Sequence, residues 1–171
     1  MKHIYSMFAG YNRWANRRLY AAAFALPEDA YRESRGAFFG SLHATLNHIV
    51  VADRIWMRRF TGEGPLHTRL DEIVHDDRDA LAEARAAEDE RIVGFVDGLS
   101  EEALAATFSY RTIASPQDIT QPLAPALSHF FNHQTHHRGQ AHCLLSQIGG
   151  NAAAPSLDLI LYQRENKVGM S

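Results

Sequence analysis

Cysteine is almost missing from this chain of 171 residues: Cys143 stands alone. A lone thiol excludes an internal disulfide and any cysteine-rich zinc site, and it fits a reducing compartment. Long hydrophobic runs are missing too, so no segment is expected to span a bilayer. The opening stretch MKHIYSMFAGYNRW turns polar too soon for a secretory signal, which makes a cytoplasmic protein the expectation. There is no surplus of positive charge, since the formal net charge is −3. The arginines at 17, 18, 54, 58 and 59 therefore read as solvated helix faces, and no nucleic-acid partner is expected. No internal repeat, low-complexity segment, nucleophile elbow or glycine-rich phosphate loop is present.

What remains is the composition of an ordinary globular chain, 46% hydrophobic and 22% charged. That is enough to bury a core, and residues 1–171 read as one domain. Four segments carry helical periodicity. In the first, Ile4, Met7, Phe8, Tyr11, Trp14, Ala15, Leu19, Ala22, Ala23 and Leu26 recur at intervals of three and four, and Pro27 ends the run. The second spans about 41–60 and stops at TGEGP, and the third is expected over about 68–99. SEEALAAT suggests a short helix with Ser100 as its N-cap. FSYRTIASPQDITQPL, with β-branched and aromatic residues around Ser-Pro-Gln-Asp, suggests a hairpin. The fourth long helix runs from near Leu123 to the double stop Gly149–Gly150, and LDLILYQREN is a docked tail with a short helix or turn. The expected architecture is all-α: a four-helix bundle with a small β-hairpin inserted before the last long helix.

The last helix is unusual. Residues 129–142, HFFNHQTHHRGQAH, hold five of the ten histidines. With His129 set at zero on a helical wheel, His136 falls at about −20°, Gln140 at about 20°, His133 at about 40° and His137 at about 80°. His142 points the opposite way. The apolar side chains of this helix occupy roughly 60° to 200°, so His133 and His137 lie nearest the core edge. Their spacing of four stacks two imidazoles one turn apart, which lets both reach one cation. The same pattern also fits hydrogen-bonded imidazoles capping a core edge. A metal needs a further ligand, and the second helix offers His43 and His48. These diverge by about 140°, so only one can face the site. His48, followed by IVVADRIW, suits a core edge in mid-bundle. His48, His133 and His137 together would form a three-nitrogen site with open coordination.

Other residues carry structural expectations. Arg138 projects into the apolar arc and needs a partner, for which Asp53 and Asp158 are candidates. Gly139 in mid-helix suggests close approach of another backbone. Trp14 and Trp56 read as core, with an aromatic wall beside a site as the alternative, and Cys143 reads as a small buried hydrophobe.

Four stretches, YNRWANRRL, LNHIVVADRIWMRRF, LSHFFNHQTHHRGQAHCLLSQIGG and PSLDLILY, occur in this order over nearly the whole chain. They resemble the DinB family of YfiT-like metalloenzymes, and NHQTHHRGQ is the most specific of them. The resemblance implies an up-down-down-up four-helix bundle with a long crossover, often as a homodimer. It implies metal ligation by the histidine of the second-helix motif and by the H-x-x-x-H pair, which map to His48, His133 and His137. His129 and His136 then become groups at the rim or behind the ligands. The family name refers to induction by DNA damage. Relatives with known activities include thiol-dependent transferases and isomerases that use glutathione, mycothiol or bacillithiol.

The leading functional expectation is a metalloenzyme. A divalent ion, zinc or nickel by imidazole preference, would activate a low-molecular-weight thiol or a water for thiol transfer to, or hydrolysis of, a small substrate. No general base can be assigned, although His136 and Gln140 lie on the appropriate arc. A metal-binding protein without turnover stands as the alternative, for which His129 or His136 could supply a fourth ligand, and a bundle without metal is a third reading.

Overall fold

The computed structural model describes residues 1–113 and 115–169. Helix α1, Lys2–Phe24, buries Tyr5, Ala9, Asn12, Asn16, Leu19 and Ala23 at intervals of three and four. A short α2, Glu28–Arg32, follows Pro27. Helix α3, Leu42–Thr61, opens on Ser41, whose Oγ accepts the Ala44 amide at 3.1 Å. It closes on Gly62 at φ 77°, whose amide donates to the Arg58 carbonyl; glycine adopts this left-handed cap without steric cost. Helix α4 covers Arg78–Gly98 and α5 covers Glu101–Ala105, the latter capped by Ser100 as expected. Strands β1, Thr107–Arg111, and β2, Asp118–Pro122, pair antiparallel and lead into α6, Leu123–Gly149. Ala114, near the hairpin tip, lies outside the described residues. A 3₁₀ turn at Asn151–Ala153 precedes α7, Leu159–Asn166.

The third helix differs from the periodicity. It begins at Arg78 rather than near 68. Leu70, Ile73 and Val74 have helical spacing, but other groups capture the backbone around them. Glu72 Oε1 accepts the Thr68 and Arg69 amides, and Asn47 Oδ1 accepts those of Val74 and His75. Asp77 then caps α4 by accepting the Ala80 amide at 2.8 Å. Local side-chain acceptors thus outcompete the helix between residues 68 and 77.

Side-chain contacts show the relative directions of the helices. Lys2 meets Asp97 and Asn16 meets Asp89, so α1 and α4 are antiparallel. Tyr5 meets Ala124 and Asn12 meets Arg138, so α1 and α6 are parallel. His48 meets His137 and Trp56 meets His129, so α3 and α6 are antiparallel. Asp53 meets Arg85 and Phe60 meets Phe95, so α3 and α4 are parallel. The bundle is therefore up-down-down-up. Residues 62–77 form the crossover that the parallel α3–α4 pair requires.

Two apolar clusters fill the bundle. One contains Leu19, Leu42, Leu46, Ile49 and Leu145; the other contains Trp56, Met57, Ile92, Leu127 and Phe130. A polar layer lies between them. Arg85 donates to Asp53 at 2.6 Å and reaches Asp89 at 3.1 Å. Asn12 and Asn16 donate to Asp89 as well, and Arg138 donates to Asn12 Oδ1. This corrects the expected partner of Arg138. It pairs with neither Asp53 nor Asp158 but with the Asn12 amide oxygen and the Thr135 hydroxyl, over the Tyr11 ring. Asp53 is taken by Arg85, which approaches from α4.

Two smaller expectations also fail. Cys143 is exposed rather than buried, because it faces away from the α3 and α1 contacts of α6. A Cβ at Gly139 would meet nothing within 4 Å, so no neighbouring backbone requires that glycine. The close approach occurs at Gly10 instead, against the Tyr162 ring of α7.

Candidate metal centre

His48 enters from α3 and His133 and His137 enter from α6, on the seam where these helices pack. His137 Nε2 is 3.2 Å from His48 Nε2 and 3.1 Å from His133 Nε2. One nitrogen from each of the three lies within 4.8 Å of the others. Around an ion bonded tetrahedrally at ~2.0–2.1 Å, ligand nitrogens sit ~3.3 Å apart. The spacing fits such an ion.

The rings are oriented by groups behind them. His48 Nδ1–H donates to the Leu70 carbonyl at 2.7 Å. His137 Nδ1–H donates to Gln140 Oε1 at 2.8 Å. Those bonds place the proton of each neutral ring on Nδ1 and leave both Nε2 atoms with bare lone pairs. Two lone pairs facing each other at 3.2 Å repel unless a cation lies between them. His133 can donate one proton toward His137, but that leaves His48 unsatisfied. A cation at the centre would complete this donor set.

Burial keeps these rings neutral. It holds His48 down to about 4, against the pull of the Leu70 hydrogen bond. It holds His133 down to about 3, reinforced by the neighbouring histidines. His137 is lowered as well, burial again being the first cause. Neutral imidazoles are the form that binds a cation.

The remaining histidines separate from this group. His43 turns away and its Nδ1 lies 3.1 Å from the Tyr31 hydroxyl. His142 points to the far side, 3.0 Å from the Pro155 carbonyl. His129 leans on Trp56 with ring centroids 5.1 Å apart, while its centroid is 5.8 Å from that of His133. His136 is exposed and accepts from Gln140 Nε2 at 3.3 Å. Among the described residues, the only group of three or more His, Cys, Asp or Glu side chains that could hold an ion is His48, His133 and His137.

Two contributors carry no sequence signal. Phe39 stacks on His48 with centroids 3.9 Å apart, from a loop without periodicity. The Leu70 carbonyl arrives from the crossover, where the apolar spacing suggests helix. A helical Leu70 would have spent that carbonyl on its own backbone. Gln140, by contrast, lies on the histidine arc of the wheel and does meet His137.

Comparison with known proteins bears on the whole chain. The DinB family model matches residues 1–168. The chain is also 26% identical over 170 residues to "Protein DinB" of Bacillus subtilis (strain 168), covering 92% of this chain and 93% of that protein.

Proposed function

The chain belongs to the DinB family, and from that premise we propose that it is a divalent-metal-dependent enzyme acting on a small substrate. His48, His133 and His137 would hold the ion, zinc or nickel by the preference of imidazole. A bound ion would supply Lewis acidity, which lowers the pKa of a thiol or a water and so favours thiol transfer or hydrolysis. The residues do the rest. Leu70 and Gln140 fix the tautomer and aim of His48 and His137, and Phe39 shields one face of His48 from water. The observation that carries the reading is the pair of tautomer-locked Nε2 atoms facing each other at 3.2 Å.

Catalysis rather than structural metal binding is favoured by ligand count. A structural zinc is closed by four protein ligands, whereas His129 and His136 both have other neighbours here. Three ligands leave room for substrate. The test begins with metal content of the untagged protein, expected at a single ion per chain, with His48→Ala, His133→Ala and His137→Ala each losing most of it. A screen of low-molecular-weight thiols against electrophiles, and of hydrolysable esters and amides, follows. Unchanged metal content in all three variants refutes the site. Bound metal without turnover in the screen favours the non-catalytic alternative.

A further inference from the structure

A second feature lies on the same face of α3. Ile55 and Arg59 follow His48 by seven and eleven residues, which places them within about 20° of it, roughly 10 and 16 Å along the helix axis. There a cavity of about 360 Å³ opens between α3, the crossover and the hairpin. Ile55, Tyr110 and the side chains of Arg58, Arg59, His67 and Arg111 line it, and among the described residues no carboxylate does.

Its charges are unbalanced. Arg111 is engaged by Asp118 at 2.9 and 3.0 Å. Arg59 lies over Trp56 and Tyr110, 4.5 and 4.7 Å from the ring centroids, and its only hydrogen bond among the described residues goes to the Arg111 carbonyl. Arg58 likewise spends one nitrogen on the Gly64 carbonyl. A half-buried guanidinium without a counter-charge has lost hydration that an incoming anion restores. His67 supplies an independent sign of a ligand. It is 8% exposed, and its Nδ1–H donates to Glu72 Oε2 at 2.8 Å. Its Nε2 is buried and has no partner among the described residues. A polar atom left so at the wall of a cavity marks a contact that the chain itself does not complete.

We propose that this cavity is an oxyanion subsite, taking a carboxylate or phosphate group of a small molecule through Arg59 and Arg58. Arg59 supplies the charge from a fixed aromatic bracket, while His67, whose Nδ1–H goes to Glu72, keeps an acceptor at Nε2 for an N–H or O–H group on the same ligand. A ligand anchored here and reaching the three histidines would have to bridge roughly 10–16 Å along α3, about three to five extended residues. That reach rests on the proposed metal function, whereas the subsite itself does not.

Calorimetric titration of the full chain tests it, with metal loaded and after stripping by chelator. S-methylglutathione serves as the carboxylate probe, its sulfur capped so that it cannot form a thiolate, and phenyl phosphate serves as the phosphate probe. Saturable binding of either one is expected, and the tighter identifies the anion. Arg59→Gln should weaken it about tenfold or more, as loss of a charge-assisted contact does. Arg58→Gln gives a second reading should Arg59→Gln fail to fold, and Arg17→Gln on α1 should change nothing. Binding that survives stripping supports the subsite whatever the fate of the metal reading. Absence of saturable binding by both probes, or undiminished affinity in Arg59→Gln and Arg58→Gln, overturns the proposal.

Discussion

At the scale of residues, the site is defined by what stands behind the imidazoles. His48 and His137 are each committed by a partner at Nδ1, so their Nε2 atoms are left as acceptors. This has a pH consequence for the metal-free protein. Folded His48 and His133 titrate at about 4 and about 3, below the 6.5 of an unfolded imidazole. The unfolded chain thus takes up protons that the fold refuses. Stability is full above pH 6.5 and falls as pH drops from there toward 4. The urea midpoint of chelator-treated protein should decline steadily between pH 7 and 5. A His48→Phe, His133→Leu double variant should show a flatter decline over that interval, and equal slopes would count against the depressed values.

At the scale of elements, the crossover is as much a part of the site as the helices. Asn47, one residue before His48, accepts the Val74 and His75 amides and donates to the His75 carbonyl. It clamps the strand of chain that delivers the Leu70 carbonyl. Asn47→Ala should therefore weaken metal binding about tenfold by misaligning His48, the usual scale for groups behind a ligand. Competition with a chromophoric chelator measures this, and undiminished affinity would detach the clamp from the site. Helix α6 permits the opposite kind of change. Gly139 lies in its exposed interior with no neighbour at the Cβ position. Gly139→Ala should stabilise the protein by about 0.5–1 kcal/mol, through helix propensity and a less flexible unfolded chain. A thermal melt reads the gain, and a lower melting temperature would reveal a contact that the structure does not show.

At the scale of the whole molecule, one buried polar network joins all four long helices. Asp53 on α3 meets Arg85 on α4; Asp89 on α4 meets Asn12 and Asn16 on α1; Asn12 meets Arg138 on α6. Two guanidinium groups and two carboxylates, each at most 2% exposed, balance in the core. Such a network is costly to break from one side. Arg85→Met leaves Asp53 and Asp89 without their shared cation and should cost about 3–5 kcal/mol. The shift in the denaturant midpoint measures it, and a shift within about 1 kcal/mol would mean that the carboxylates find other partners. The same layer separates the two apolar clusters, which is a means of choosing one helix register over its neighbours.

The wheel of α6 showed which imidazoles share a face, because a regular helix converts spacing directly into direction. The cap at Ser100, the stop at Gly149–Gly150 and the hairpin were legible for the same reason: they depend on neighbours close in sequence. Tertiary structure decided what depends on distant neighbours. The partner of Arg138, the exposure of Cys143, the freedom around Gly139 and the coil at residues 68–77 follow from which groups approach across the bundle. An apolar i, i+3, i+4 spacing is compatible with helix, but it cannot report that Asn47 and Glu72 will bind the same amides first. Periodicity along one chain therefore determined the four rods and the histidine face. Competition among donors and acceptors brought together in space decided how the crossover completes the centre.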